Sequence, residues 1–281
     1  MLQSGLIGDP VGHSLSRVMH NAAFADLGID AHYDLWETPL ALLEARVAML
    51  CGEDMLGANV TVPHKQAVIP FLNSLSATAR RVGAVNTIIP RNGELHGDNT
   101  DAYGFARSLA EVTDAKALHR AVVVGAGGAS RAVLVALQDA GVAEIVLVNR
   151  TRARAEELAD DLAEQDKPAV RTHTLNDLAS IAIGANVIVN ATSVGWHGDE
   201  LPFDAGVLDT MDSDGVMVDL TYRETAVLTE ARKRGLTVLD GLPMLIHQGA
   251  RSFELWTGRT APVVTMRAAV MDEQRRRAGA G

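Results

Sequence analysis

Short stretches rich in hydroxyl, amide and charged side chains are spread along the chain, and they indicate what it can bind. They are HSLS (13–16), NVTVPHK (59–65), AVNT (84–87), GDNTDAYG (97–104), Tyr222 and HQ (247–248). Such a set suits a polyhydroxylated acid, because hydroxyls need many neutral hydrogen bonds and a site built that way rejects analogues that lack them.

The stretch GANVTVPHK (57–65) raises a question about placement. It is typical of a buried strand, residues 59–62, that stops at Pro63 because proline cannot donate a ladder hydrogen bond. Lys65 then follows just past the strand end. Taken alone, Lys65 has the alternative of a solvated surface charge, and Asp101 has the alternative of a helix N-cap.

A glycine-rich turn, VVVGAGGASRA (122–132), lies between a predicted strand and a predicted helix. Gly125 permits a tight turn, and Gly127 lets the backbone approach a pyrophosphate at the helix N-terminus. Ser130 replaces the third glycine of the usual dinucleotide fingerprint. The alternative is a glycine-rich turn that binds no ligand; the placement between strand and helix favours a nucleotide.

The end of the next predicted strand, VNRTRAR, distinguishes between the two nicotinamide cofactors. A NAD site usually has a carboxylate there to accept from the ribose 2′-OH, but this stretch has none. A guanidinium at Arg150 or Arg154 matches a 2′-phosphate in charge and in donor geometry. We therefore expect NADP(H), with Arg152 either at the phosphate or an exposed helix charge.

A later strand ends in NATSVG (190–195). Ligands of doubly wound sheets lie at the carboxyl ends of strands, and the small residues Ala191, Thr192 and Ser193 leave room for a nicotinamide ribose. The alternative is a plain strand terminus.

Strand-like and helix-like segments alternate along the chain, which predicts an α/β fold. Asn92-Gly93 predicts a hairpin turn. The segment DAYGFARSLAEV is a helix that could link two domains. The near-continuous apolar strands after it predict a parallel sheet covered on both faces, and two helices follow Gly241.

Composition excludes several classes of protein. The 281 residues carry a net charge of −10, so nucleic-acid binding is not expected, and RRR (275–277) is interpreted as a solvated helix end. No signal peptide and no apolar run of about 18 residues are seen, so we expect no membrane segment. The single Cys51 fits a cytoplasmic location. No cysteine pair or spaced carboxylates accompany the histidines, so no metal is expected, and His13 and His20 are interpreted as satisfied structural residues.

Eight motifs together resemble the shikimate dehydrogenase family over nearly the whole length. They are GDPVGHSLS, NVTVPHK, GAVNT, GDNTDAYG, GAGGASRA, NRT, NATSVG and MLIHQGARSFELWTG, in the family's order. The resemblance implies NADPH-dependent reduction of 3-dehydroshikimate to shikimate in aromatic amino-acid (chorismate) biosynthesis. It implies a substrate domain of residues 1–103 to which residues 243–281 return, and a Rossmann-type NADP domain of residues 104–242.

The same resemblance implies roles for individual residues. Ser14 and Ser16 would bind the substrate carboxylate, with Tyr222 on that side. The ring hydroxyls would be held by Thr61, Asn86 and Gln248, with Asn59 close behind. The cofactor would contact Gly125, Ala126, Gly127, Gly128, Ala129, Asn149, Arg150, Thr151, Arg154, Thr192, Ser193, Leu220, Gly241 and Met244.

Lys65 and Asp101 would be the catalytic pair. A ketone that accepts a hydride develops alkoxide charge, and a nearby ammonium stabilises that charge and can donate the proton. Asp101 would fix and polarise Lys65, and the two groups would titrate as a coupled pair.

Departures from the family pattern leave alternatives open. Arg17 stands where proline is usual, and it either brings positive charge near the substrate carboxylate or points to solvent. Trp196 replaces a smaller residue, and the segment after Tyr222 is about two residues short. The alternatives are a quinate/shikimate or related polyol-acid dehydrogenase, or a non-catalytic NADP-binding regulator. We expect a small-molecule substrate and a monomer or homodimer.

Overall fold

The structure is a computed structural model that describes residues 1–279. The chain divides into two compact units. The first unit comprises Met1–Gly104 and Leu245–Gly281, and the second unit comprises Phe105–Met244. Each unit contains one six-stranded sheet with helices packed on it, so the predicted α/β class is confirmed.

The sheet of the first unit is mixed, with the order β2-β1-β3-β5-β6-β4. Its strands are β1 (Leu2–Gly8), β2 (Ala31–Glu37), β3 (Met55–Val60), β4 (Ser74–Leu75), β5 (Thr87–Arg91) and β6 (Glu94–Asp98). β1 pairs in parallel with β2 and β3, whereas β5 is antiparallel to β3 and β6. β1 and β3 therefore end at the same edge of the sheet.

The predicted hairpin is confirmed. β5 and β6 are joined by Asn92 and Gly93, which have φ values of 54° and 79°. Positive φ at both central residues is the requirement of a type I′ turn, which asparagine and glycine meet best.

The helices of the first unit pack on this sheet and on one another. They are α1 (Ser16–Asp26), α2 (Leu43–Ala48), α3 (Ala77–Val82) and α10 (Val263–Ala278). The linking helix α4 (Asp101–Leu109) begins in the first unit and ends in the second, and α9 (Leu242–Thr257) runs from the second into the first. α1 packs against α10 and β2.

The sheet of the second unit is parallel throughout, with the order β12-β11-β10-β7-β8-β9. Its strands are β7 (Arg120–Val124), β8 (Glu144–Val148), β9 (Val170–His173), β10 (Val187–Asn190), β11 (Val216–Asp219) and β12 (Thr237–Leu239). Its helices are α5 (Gly128–Asp139), α6 (Arg152–Asp161), α7 (Leu178–Ile181) and α8 (Ala226–Lys233). This is the strand order of the doubly wound dinucleotide-binding fold, as predicted.

Two local predictions need correction. β3 runs over Met55–Val60 rather than residues 59–62, because the His64 amide bonds back to the Thr61 carbonyl and turns the chain, leaving Val62 72% exposed. The apolar spacing of PLALLEARVAML (39–50) predicts one helix, but the structure has only the short α2 there, between 3₁₀ turns at Leu40–Leu42 and Met49–Cys51.

None of the helices within residues 1–279 is both long enough and apolar enough to cross a membrane.

His20 on α1 is a structural residue, but the expectation that it is satisfied is wrong. Its ring is fully buried and stacks on Tyr33 with centroids 4.4 Å apart, and neither nitrogen has a hydrogen-bond partner in the described chain. Burial lowers the pKa of His20 to about 3.

This buried ring predicts acid sensitivity. The pKa of His20 is lower in the folded state than in the unfolded state, so the unfolded state binds the proton first and stability falls as pH drops below 6.5. At pH 4.5 the loss attributable to His20 is about 2–3 kcal/mol. His20→Leu should remove that part of the pH dependence, measured as the difference in urea-unfolding free energy between pH 7 and 4.5. His32→Leu, at an exposed position of β2, should leave this difference as in the wild type. A His20→Leu protein whose unfolding free energy still differs between the two pH values as much as that of the wild type would contradict the assignment.

Candidate functional site

An ion pair between Lys65 and Asp101 is the central feature of the first unit. Lys65 Nζ lies 2.6 Å from Asp101 Oδ2, and the two side chains are 22% and 9% exposed. Lys65 lies in the turn that follows β3, and its backbone carbonyl accepts a hydrogen bond from the Val85 amide. The pair is therefore anchored on both sides and shielded, but it is not sealed from solvent.

Asp101 is the first residue of α4, but its carboxylate does not cap that helix. The Asn99 side chain accepts from the backbone amides of Asp101 and Ala102, at 3.0 and 3.4 Å. Asn99 thus caps α4, which rules out the N-cap alternative for Asp101 and leaves its carboxylate to Lys65.

Asn86 connects this pair to helix α9. Its Nδ2 donates to Asp101 Oδ1 at 2.9 Å and to Gln248 Oε1 at 3.2 Å, and its Oδ1 accepts from the Thr100 amide at 2.8 Å. Asn86 is buried. Four predicted site residues, Lys65, Asp101, Asn86 and Gln248, are therefore joined by direct hydrogen bonds.

Asn59 lies behind this group and supports it. Its Oδ1 accepts from the Tyr33 hydroxyl at 3.0 Å, and its Nδ2 donates to the Asn86 carbonyl and the Ser252 hydroxyl. Burial raises the pKa of Tyr33, so the phenol stays protonated and fixes the orientation of the Asn59 amide.

Sequence reasoning missed the residues that complete this polar network. Ser252 on α9 contacts Thr87 at 2.8 Å and Thr100 at 3.1 Å, oxygen to oxygen, and all three hydroxyls are buried. A signal was available: Gln248 and Ser252 are four residues apart and so share one face of a helix. That spacing would have placed a second polar residue beside Gln248.

Ser14 lies in the loop between β1 and α1, Ser16 is the first residue of α1, and Thr61 directly follows β3. Ser14 Oγ accepts from the Ser16 amide at 3.1 Å as α1 begins, and Ser16 is buried. A Cβ on Gly8 would overlap the Thr61 methyl, so these two strand ends are in contact. Within residues 1–279, no direct hydrogen bond joins these three hydroxyls to Lys65 or Asp101.

Arg17 does not simply point to solvent. Its guanidinium lies 3.8 Å from the Asp34 carboxylate on β2, with both side chains about half exposed. The pair holds Arg17 towards β2, and an exposed pair of this kind contributes little to stability.

The glycine turn of the second unit has the features that a pyrophosphate needs. Gly125 has φ +107°, and a Cβ there would lie 2.8 Å from the Thr192 methyl, whereas Gly127 and Gly128 face open space at the start of α5. Ser130 is buried, donates to the Gly125 carbonyl at 2.6 Å and accepts from the Gly127 amide at 3.2 Å. Its hydroxyl thus ties the turn together in place of the third glycine. The predicted Ala126 and Ala129 lie in this same turn and helix start, half-buried.

The turn from β8 into α6 carries the predicted arginines. Asn149 Nδ2 donates to the Thr151 carbonyl at 2.8 Å, which shapes the turn. Arg150 and Arg154 are exposed, and their guanidinium groups have no ion-pair partner in the part of the chain that the structure describes. Arg152 instead pairs with Glu156 at 2.8 Å, which favours its interpretation as an exposed helix charge.

The remaining predicted cofactor residues follow β10, β11 and β12. Thr192 donates to Asn190 Oδ1 at 2.7 Å, and the exposed Ser193 follows it. The Gly241 amide donates to the Thr221 carbonyl at 2.8 Å, and a Cβ on Gly241 would overlap the Leu220 carbonyl. Met244 is half-buried in the first turn of α9.

Tyr222 lies in the second unit, whereas the other predicted substrate residues lie in the first. Its ring meets Trp196 edge-on, with centroids 5.1 Å apart. Arg223 donates to the Trp196 carbonyl at 3.1 Å. The large Trp196 and the short segment after Tyr222 therefore pack against each other.

Within residues 1–279 the structure contains no cluster of three or more His, Cys, Asp or Glu side chains able to hold a metal ion.

The fold and site define a two-domain α/β protein with one Rossmann-type domain. Three family models match the chain. They are "Shikimate dehydrogenase substrate binding domain" over residues 6–88, "Shikimate / quinate 5-dehydrogenase" over residues 107–198 and "Shikimate 5'-dehydrogenase C-terminal domain" over residues 241–271.

Relatives with named functions match over nearly the whole length. Shikimate dehydrogenase (NADP(+)) of Symbiobacterium thermophilum is 45% identical over 273 residues, which are 95% of this chain and 92% of that protein. Shikimate 5-dehydrogenase of Thermus thermophilus, solved with NADP(H) and shikimate, has a TM-score of 0.85 and 38% identity, covering 97% of this chain and 99% of that one. Ligand-free 5-ketofructose reductase of a Gluconobacter strain has a TM-score of 0.86 and 31% identity, covering 96% and 98%. The chain belongs to the shikimate dehydrogenase family, as its motifs predicted.

Proposed function

We propose that the protein catalyses the NADPH-dependent reduction of 3-dehydroshikimate to shikimate, in the biosynthesis of chorismate and the aromatic amino acids. The observation that carries this proposal is the Lys65–Asp101 pair, 2.6 Å apart and set in a network of neutral amides and hydroxyls. A ketone on a polyhydroxylated ring needs both parts: a proton donor for its oxygen, and neutral partners for its hydroxyls.

The proton-transfer role belongs to Lys65. Its ammonium would stabilise the negative charge that develops on the carbonyl oxygen and then donate a proton to it. Asp101 would hold the ammonium in place, and Asn86 would in turn hold Asp101 through the 2.9 Å bond to its second oxygen. Because Asp101 is held from both sides, the donor is positioned before substrate arrives.

The substrate would be oriented by the residues around this pair. Thr61, Asn86 and Gln248 would bind the ring hydroxyls, with Asn59 supporting Asn86 from behind. Ser14 and Ser16 would bind the carboxylate, and Tyr222 would contact the same group. We propose accordingly that the first unit is the substrate domain and the second the NADP domain.

The second unit fits NADP(H), which supplies the hydride when bound. The open backbone at Gly127 and Gly128 gives room for the pyrophosphate at the start of α5. Arg150 and Arg154 have guanidinium groups free for a 2′-phosphate. Ala126, Ala129, Asn149 and Thr151 would line the same half of the cofactor, and Thr192, Ser193, Leu220, Gly241 and Met244 the nicotinamide half.

A second candidate is a dehydrogenase of another polyhydroxylated compound, quinate above all. Two observations favour keeping it: a relative of similar fold is a 5-ketofructose reductase, and Trp196 packs on Tyr222 where the family has a smaller residue. A non-catalytic NADP-binding regulator has no use for the Lys65–Asp101 pair, so we set it aside.

A four-way assay tests the proposal. The purified protein is given shikimate or quinate with NADP⁺ or NAD⁺, and kcat/KM is compared. We expect the shikimate and NADP⁺ pairing to be best, by at least about tenfold over each alternative, a difference of roughly 1.4 kcal/mol. A higher kcat/KM for quinate would select the second candidate, and no turnover with any pairing would overturn both.

We also propose a cytoplasmic location and a monomer or homodimer that acts on its small-molecule substrate without nucleic acid or membrane. The lone Cys51 fits a reducing compartment, and the excess of acidic residues disfavours nucleic acid.

A further inference from the structure

A buried carboxylate in the second unit takes no part in the proposed chemistry. Asp219 ends β11 and is 0% exposed, and no cation lies within ion-pair distance of it in residues 1–279. Aspartate is almost never fully buried without a charged partner, because desolvating the charge costs several kcal/mol. Its presence at the carboxyl end of a central strand, where ligands of this fold lie, calls for a reason.

Four neutral donors surround the carboxylate and use both of its oxygens. Oδ1 accepts from the Thr221 amide at 3.0 Å and the Thr221 hydroxyl at 2.9 Å. Oδ2 accepts from the Thr225 hydroxyl at 2.9 Å and from Asn190 Nδ2 at 3.1 Å. All four donors are neutral, so the carboxylate is held by hydrogen bonds alone.

The Thr225 side chain binds the Asp219 carboxylate instead of capping a helix. Thr225 is the N-cap residue of α8, yet its side chain makes no capping hydrogen bond and donates to Asp219 instead. A threonine cap is worth about 1 kcal/mol, so the bond to the carboxylate replaces a favourable local interaction.

Hydrogen bonds lead from Asp219 to the loops that follow β10 and β12, and a packing contact leads on to the loop that follows β7. Asn190, held by Asp219, accepts through Oδ1 from the Thr192 amide and hydroxyl, and the Thr192 methyl abuts Gly125 of the glycine turn. On the other side, the Thr221 carbonyl accepts from the Gly241 amide after β12. One buried carboxylate is thus connected by hydrogen bonds to the carboxyl ends of β10, β11 and β12, and by packing of Thr192 to that of β7.

We propose that Asp219 is a positioning residue for the nicotinamide half of NADP(H), fixing the loops after β10 and β11 in the shape that accepts it. This inference rests on the proposed function, because it presumes that the second unit binds this cofactor. Asp219 itself does not need to touch the nucleotide; it acts through Asn190, Thr192 and Thr221.

The substitution Asp219→Asn tests the inference, since it keeps the shape but replaces an acceptor oxygen by a donor. Asp212→Asn is the matched control: Asp212 Oδ2 accepts from Asn186 Nδ2 at 2.6 Å, an Asn–Asp pair at the opposite ends of β10 and β11. The dissociation constant of NADPH is measured by its fluorescence, well below the Tm of each variant. We expect Asp219→Asn to raise the dissociation constant of NADPH by about tenfold or more, and Asp212→Asn to raise it by less than about twofold.

A fragment of the cofactor separates positioning from general damage. The compound 2′,5′-ADP lacks the nicotinamide half, so its affinity for Asp219→Asn should stay within about twofold of wild type. NADPH binding that is unchanged, or weakened no more than that of 2′,5′-ADP, overturns the inference. Should Asp219→Asn fail to fold, Thr225→Val, which removes one donor, should show the same selective loss. A wild-type protein that does not bind NADPH would instead overturn the proposed function.

Discussion

Replacing Lys65 by methionine should lower kcat by about 10²–10⁴-fold, the usual contribution of a positioned proton donor. Methionine keeps much of the length and the apolar stem but has no charge and no proton to give. The dissociation constant of shikimate should rise by no more than about tenfold, the effect of one lost hydrogen bond. The measurement is kcat by steady-state and single-turnover kinetics with shikimate and NADP⁺, because product release can mask the chemical step.

The chain offers a control of the same chemistry. Lys167 pairs with Asp139 at 2.7 Å in the second unit, so Lys167→Met removes a lysine from a similarly short ion pair outside the proposed site. It should leave kcat within about twofold of wild type, since such exposed pairs contribute little. A Lys65→Met protein that keeps more than a tenth of wild-type kcat would show that the ammonium is not the proton donor.

The sequence predicted the architecture well where one strong physical rule decides it. Uninterrupted apolar strands such as β7 and β8 need to be buried on both faces. Because such strands are typical of parallel sheets, the parallel sheet could be predicted from them. Gly125, with its positive φ, and the Asn92-Gly93 turn were predicted for the same reason, because few other residues accept those backbone conformations. The strand β9 was missed, since VRTH is short and lacks an apolar run.

The proposed site was predictable one residue at a time, but its connections were not. Asn59 and Ser252 are 193 positions apart, and Asn86 and Gln248 are 162 apart, yet each pair shares a hydrogen bond. The local sequence around one member of a pair does not indicate the other member. A buried polar group needs a hydrogen-bond partner, but many different groups can serve as that partner. Motif order could therefore indicate the residues, while only the fold shows which amide serves which acceptor.

The sequence also could not show which of two neighbouring side chains takes a given hydrogen bond. Both Asn99 and Asp101 can cap a helix, and the chain around them allows either. In the structure Asn99 takes the backbone amides, which leaves the Asp101 carboxylate to Lys65. Likewise Arg17 had two interpretations, neither of which included its pairing with the Asp34 carboxylate on β2.

Reversing the charge of Arg150 should convert the cofactor preference. In Arg150→Asp a carboxylate would repel the 2′-phosphate of NADPH and could accept from the 2′-OH of NADH. We expect the dissociation constant of NADPH to rise by about 100-fold, from the lost charged hydrogen bonds and the added repulsion, and that of NADH to change by less than about threefold. Both constants are measured by nucleotide fluorescence at fixed ionic strength, because salt screens exposed charges.

Arg152→Asp is the matched control, two positions along the same turn. Arg152 is already paired with Glu156, so its guanidinium is not free for a phosphate in the way that Arg150 is. Its replacement should raise the NADPH constant by less than about tenfold, through the change in local charge alone. Equal weakening by the two variants would assign the preference to the general positive charge of the turn, and equal effects on NADPH and NADH would show that Arg150 does not meet the 2′-phosphate.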